Sequence, residues 1–288
     1  MERKKAYNLN EVYFYIAFSF FKTKDYQRAN EVFDHYSFAS STFNLIALYK
    51  LLIRKILLLQ PQSTEQQQQQ QGRGLCQERM LEEILGELIH FHDQYEYMFK
   101  NISFFYYKNN SMVTLDELKF HIGELLFELG RFEQAYGYLR HYAAIAGLAN
   151  KIAFEPGQYL RCFYRTLHKT TRYDDLFAIV AGVPNETDEE RYFKGASYFY
   201  KPLLNGNDNK QAEFFANKNK CFECLYTLRN KEYVYYKEAQ YLKLKCLFFR
   251  IMQKYKESNS HEMNVAAKQF FSLDSEFSTV NDAHIYIF

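Results

Sequence analysis

The sequence predicts an all-α protein built from paired helices, and three observations carry that reading. Apolar residues recur at intervals of three and four through most of the 288 residues. Gly and Pro, which punctuate short strands and their turns, number only 11 and 4. Tyr and Phe are abundant, at 26 and 28 with no Trp, and the 48% hydrophobic content is enough for a substantial core.

The first element is the stretch EVYFYIAFSFF, Glu11 to Phe21. Tyr13, Ile16, Ala17 and Phe20 share one helical face, Lys24 and Asp25 mark a turn, and Tyr26, Ala29, Val32 and Phe33 form a second face. This is the spacing of a helical hairpin. The basic residues between Met1 and Lys5 give the start the charge layout of a signal peptide. The run behind them is built of Tyr and Phe and has no small-residue cleavage site, so it is read as a helix that stays in the mature protein. No window reaches the ~18 apolar residues that a membrane span needs.

SSTFNLIALYKLLIRKILL follows as an amphipathic helix or helix pair. Gln60 to Gln77, with a run of Gln from Gln66 to Gln71, cannot bury apolar surface and is read as a flexible insert. The expected organisation is therefore N-terminal helices over 1–59, the insert over 60–77, and a continuing helical array over 78–288.

Beyond the insert, ERMLEEILGELIHFHDQYEYMF is a further amphipathic helix, and LKFHIGELLFELGRFEQAYGYL repeats the hairpin pattern. Ile122, Gly123 and Leu126 lead to a turn at Gly130, followed by Phe132, Ala135 and Leu139. YLRCFYRTLHKTTRYDDLFAIV keeps Phe163, Leu167, Tyr173 and Val180 in the same places. It puts Tyr164 and Leu176 where the other hairpins have small residues, which predicts looser or differently angled packing. A short loop is expected from Asn185 to Glu190, with Asp188 capping the helix after it. YFKGASYFYKPLLNGNDNKQAEFF recovers Gly195, Tyr198 and Ala212 around a longer connection, and KEYVYYKEAQYLKLKCLFFRIMQKY is amphipathic without the hairpin signature.

Charge and chemistry narrow the function classes. Lys+Arg 36 against Asp+Glu 34 gives +2 with the signs interspersed, which argues against a nucleic-acid partner held by a general field. Five Cys at irregular spacing suit reduced thiols in the cytoplasm or nucleus. Cys221 and Cys224 are spaced as a possible metal pair, but helical surroundings lack the turns that gather zinc ligands, and buried helix cysteines are the favoured reading. His90 and His92 fall on different sides of a helix and are read as surface or capping residues. No nucleophile elbow, phosphate loop or metalloprotease helix occurs, so neither catalytic residues nor a cofactor are assigned.

The order of large apolar, small residue, aromatic, short turn, aromatic, Ala and large apolar resembles a tetratricopeptide repeat, whose period is about 34 residues. The resemblance implies a right-handed α-solenoid. It makes Ala17 and Gly123 the small residues that let each first helix approach the second, with Ala29 and Ala135 as their counterparts. Ala29 and Ala135 lie 135 − 29 = 106 residues apart, roughly three periods with an insert between. Some members of the family clamp chaperone C-termini with Lys and Asn on the groove side of the first helix. Phe14 and Phe18 stand in those places here, which argues against that clamp.

What the resemblance implies is a non-catalytic scaffold or adaptor in a multi-subunit assembly, with no cofactor or metal. Its mechanism would be surface presentation. Phe14, Phe18 and Phe21 would line a groove for a partner helix or extended segment, or for a second copy of the chain through the N-terminal repeat; the alternative is that a later helix of the same chain folds back over them. A Tyr/Phe-rich first hairpin, a second helical unit, a low-complexity insert and a well-formed repeat look similar to the scaffold subunits of the anaphase-promoting complex. Helical-repeat subunits of proteasome-lid or initiation-factor-like complexes share the pattern, but end in a winged-helix module for which FSTVNDAHIYIF offers at most one short strand. An RNA-binding helical repeat would need a basic stripe along one face.

Overall fold

The structure, a computed structural model, describes residues 9–35, 45–59, 73–101, 115–143, 156–180, 187–201, 210–228 and 230–280. These residues are all-α, with no strand among them. The helices are α1 (Leu9–Lys22), α2 (Tyr26–His35), α3 (Leu45–Leu59), α4 (Arg73–Asn101), α5 (Leu115–Glu128), α6 (Phe132–Ala143), α7 (Pro156–Lys169), α8 (Tyr173–Val180), α9 (Asp188–Tyr200), α10 (Lys210–Tyr226), α11 (Tyr236–Lys256) and α12 (Ser260–Val280). None is long and apolar enough to cross a membrane. The chain divides into two compact units, Met1–Tyr159 and Leu160–Phe288.

One turn recurs four times. Lys24, Gly130, Thr171 and Ser258 adopt left-handed φ of 64°, 73°, 56° and 57°. The next residue's N–H then closes onto a carbonyl five residues back: Asp25 to Phe20 at 2.9 Å, Arg131 to Leu126 at 2.8 Å, Arg172 to Leu167 at 2.9 Å and Asn259 to Lys254 at 3.0 Å. This left-handed cap satisfies the last carbonyls of one helix. Its following residue at once starts the next helix, because Asp25, Arg131, Arg172 and Asn259 accept from Ala29, Ala135, Leu176 and Met263. Asp25 and Asn259 add side-chain caps, to the Arg28 and Glu262 N–H groups. The α7–α8 turn is therefore the same device despite Tyr164 and Leu176, and α11–α12 uses it with no sequence signature.

In the first unit each helix from α1 to α5 packs on its successor. Ala17, Ala29, Ala135 and Gly123 are all buried at these contacts. The nearest neighbour of Gly123 is Leu139, one turn beyond the Ala135 that the repeat pattern pairs with it. Ile16, expected in the hairpin stripe, is 40% exposed. A helix advances 100° per residue, and burying Ala17 against α2 turns its preceding neighbour away from the contact. α3 and α4 pack together across the Gln-rich stretch, and Gln77 Nε2 donates to the Leu58 carbonyl at 2.8 Å. Residues 73–77 of the expected insert are helical, and residues 60–72 lie outside the described residues.

In the second unit α8 to α12 pack in succession, and α9 also meets α11. The cap of α9 is Thr187, not Asp188. Its hydroxyl accepts from Glu190 N–H while Glu190 accepts from Thr187 N–H, and Asp188 instead pairs with Arg191 at 3.0 Å. Gly195 does pack closely, but its partner is Leu225, with the Cys221 carbonyl next nearest, whereas Ala212 is exposed. The connection between α9 and α10 moves the packing residues well down α10. At the far end of α9, buried Lys218 donates to the Phe199 carbonyl and stands 3.9 Å, 4.7 Å and 5.8 Å from the ring centres of Phe199, Phe214 and Phe249. A helix C-terminus and three ring faces compensate an ammonium removed from water.

Candidate functional site

Of the residues proposed to meet a partner, Phe18 and Phe21 pack edge-on against Tyr49 of α3, at 5.6 Å and 5.2 Å between centroids. Both are half-buried, and Tyr49 beneath them is buried. α3 thus covers part of this aromatic face within the chain. The Phe14 side chain lies outside the described residues. The open apolar side of α1 carries Tyr15, 60% exposed, and Ile16.

Two buried polar clusters join helices that sequence spacing does not connect. In the first unit Lys55 of α3 donates to His121 Nδ1 at 2.6 Å and pairs with Glu124, both on α5. Burial first, and the Lys55 charge second, hold the His121 pKa well below its ordinary value, so the ring is neutral and accepts from Lys55. In the second unit His168 Nε2 faces Glu238 at 3.1 Å while Tyr173 OH lies 3.3 Å from Nδ1. A carboxylate only accepts, so Nε2 donates to Glu238 and Nδ1 accepts from Tyr173. Burial raises the Glu238 carboxyl, but hydrogen bonds from His168 and Tyr192 outweigh it and leave the pKa lowered. Rings of Tyr192, Phe193 and Tyr235 enclose the imidazole. Both clusters have the residues of acid–base chemistry, but their groups hold each other.

Cys221 and Cys224 are buried on α10, and burial followed by the neighbouring Cys246 pushes the Cys221 thiol well up. A protonated thiol is a poor ligand and nucleophile. Among the described residues no group of three or more His, Cys, Asp or Glu side chains is placed to hold a metal ion.

A groove of about 500 Å³ opens between α4, α5 and α6, beside the second well-formed hairpin. Leu85, Ile89 and Leu126 give it an apolar floor, and Lys119, Arg131 and Tyr138 give it polar edges. Arg131 is held by Glu82. Burial, aided by the Asp93 charge, raises the Tyr138 pKa and keeps the phenol protonated. His92, expected at the surface, is 7% exposed and lines this groove. Its Nδ1 lies 3.2 Å from Asp93 Oδ1, and its buried Nε2 has no partner. In the neutral ring, donation from Nδ1 to the carboxylate leaves Nε2 as an acceptor, and the groove then presents one buried acceptor over an apolar floor. A segment that lays an apolar side chain on the floor and points a backbone N–H at His92 would satisfy both.

Sequence spacing missed this groove, although a signal was present. His92 follows Leu81, Leu85 and Leu88 at helical intervals and so belongs to the buried stripe of α4. Comparison of the chain with protein-family models, with curated proteins and with solved structures finds no match.

Proposed function

We propose that the chain is a non-catalytic, tetratricopeptide-like scaffold whose helical hairpins stack as a right-handed α-solenoid and bind protein segments within a larger intracellular assembly. Its organisation along the chain makes a subunit of the anaphase-promoting-complex scaffold kind the narrower form of this reading. The observation that carries it is the recurrence of one turn, with a left-handed residue and a five-residue back-bond, at Lys24, Gly130, Thr171 and Ser258. A repeated turn makes a repeated supersecondary unit, and arrays of such units use their grooves for extended or helical partners. The groove under His92 is where a first partner segment docks.

The experiment places a photo-crosslinking residue at Gln134, on the rim of that groove, and irradiates the chain in extract from its native source. The expected result is cross-linking to one or a few defined proteins, lost when His92→Phe fills the groove. Cross-links spread over abundant proteins and unaffected by His92→Phe would count against it, as would turnover of any small substrate by the purified chain.

A further inference from the structure

A second groove, of about 630 Å³, lies in the second unit between α10, the segment after it, α11 and α12. Tyr236, Gln240, Lys243 and Leu247 form one continuous face of α11 along it, at intervals of four, three and four. Phe222 and Leu228 on one side and Leu273 on the other make its walls apolar. Lys231, Lys243 and Lys268 line it, with no carboxylate among the described lining residues. That separates it from the groove between α2, α3 and α4, where Asp34 and Glu87 accompany Lys50 and Arg54 and the charges neutralise one another.

The lysines are held in different ways. Lys243 is buried and donates to the Leu228 carbonyl at 3.3 Å, which fixes an ammonium at the base of the groove. Lys231 and Lys268 are exposed at its edges and meet no carboxylate among the described residues. Between them Gln240 is 5% exposed, and its side-chain oxygen is buried without a hydrogen-bond partner. An unpaired buried carboxamide oxygen is costly unless a ligand supplies a donor.

From these groups we infer that the α10–α12 groove binds an extended peptide segment in which acidic and apolar side chains alternate. Its carboxylates meet Lys231 and Lys268, its apolar side chains lie on Leu228, Leu247 and Leu273, and a backbone N–H meets Gln240. A carboxamide carries a donor and an acceptor side by side and so matches a peptide backbone in either orientation. The apolar walls favour a peptide over RNA, whose affinity rests on phosphates and base stacking. The groups recognise side-chain acids along the segment, so a free terminal carboxylate is not required. The inference deepens the scaffold reading by naming the partner chemistry of one groove, and it rests on that reading.

The test uses the full chain and a short, amidated, fluorescein-labelled peptide of alternating Glu and Leu, with binding read by anisotropy. Replacing each Glu by Lys, or each Leu by Ser, is expected to weaken binding by about tenfold or more, and added salt to weaken the Glu/Leu peptide. Lys231→Glu/Lys268→Glu is expected to lose the Glu/Leu peptide and gain the Lys/Leu peptide, a reversal that a misfolded variant does not produce. Equal binding of the Glu and Lys peptides, binding unchanged by the charge reversal, or tighter binding of an oligouridylate than of the peptide overturns the inference. The cross-linking at Gln134 is read on the same reversal variant. If it persists while the peptide result fails, this groove's partner is wrong and the scaffold reading stands; if it is absent from the unaltered chain as well, the scaffold reading fails.

Discussion

A Cβ placed on Gly123 would lie 2.7 Å from both Cγ and Cδ2 of Leu139, inside ordinary carbon–carbon contact. The α5–α6 contact therefore depends on the absence of a side chain at this position. Gly123→Leu should cost on the order of 3 kcal/mol by overpacking, and Gly123→Ala less, because better helix propensity returns roughly 1 kcal/mol. Gly86, in the middle of α4, has nothing within 4 Å of its hypothetical Cβ. Gly86→Ala should accordingly stabilise the chain by about 1 kcal/mol. Urea denaturation of the three variants checks the opposite signs, and a neutral Gly123→Leu would mean that α5 and α6 do not meet here.

Thr171 occupies the left-handed position that Gly130 fills in the second hairpin, at φ 56°. A β-branched residue is strained there, whereas glycine is not. Thr171→Gly should raise stability by roughly 0.5–1 kcal/mol, the conformational relief exceeding the added entropy of the unfolded chain. Gly130→Thr should lower it by at least as much. Thermal melts of the two variants decide the matter, and a loss of stability in Thr171→Gly would show that the turn is not held left-handed in solution.

These turns also show how much the sequence disclosed. Gly130 and the small residues Ala17, Ala29, Gly123 and Ala135 mark two hairpins because a local pattern reports local packing. Ser258 sits in the same backbone state with no residue type to announce it. Gly195 was readable as a close-packing site but its partner was not, since the contact reaches Leu225 across a long connection and not the nearer Ala212. The groups of the two grooves are harder still. His92 had a period to betray it, but Gln240, Lys243 and Lys268 come together only once α11 is packed on α12, and no spacing along the chain contains that fact.

His121 gives the first unit a definite response to acid. Its folded pKa lies well below the ordinary 6.5, through burial and then through Lys55, so below that pH the unfolded chain takes up a proton that the folded chain does not. Stability is therefore complete above about pH 6.5 and falls as the pH drops toward the folded value, with a slope from this residue of at most about 1.4 kcal/mol per pH unit. Glu124, one turn further along α5, pairs with the same Lys55. His121→Gln should flatten the stability–pH curve between about pH 6 and 5 relative to the parent chain. Guanidinium titrations at several pH values measure it, and parallel curves would show that the ring titrates normally in the fold.

The two sides of α1 should respond differently to substitution, and the difference separates packing within the chain from association between copies. Phe18 and Phe21 lie on Tyr49, so Phe18→Ser/Phe21→Lys uncovers a buried ring and should lower stability by about 1–1.5 kcal/mol per half-buried side chain. Tyr15 and Ile16 are exposed at 60% and 40%, and Tyr15→Glu/Ile16→Glu should leave the melting curve within about 0.5 kcal/mol of the parent. If the first hairpin is the surface through which two copies meet, that second variant is the one that turns a dimer into a monomer, because its side chains are the ones α3 leaves uncovered. Light scattering coupled to size exclusion reads the outcome. A parent chain that is already monomeric at high concentration, or a Tyr15→Glu/Ile16→Glu variant that remains dimeric, would exclude the N-terminal hairpin as a self-association surface and leave Phe18 and Phe21 as parts of the first unit's own core.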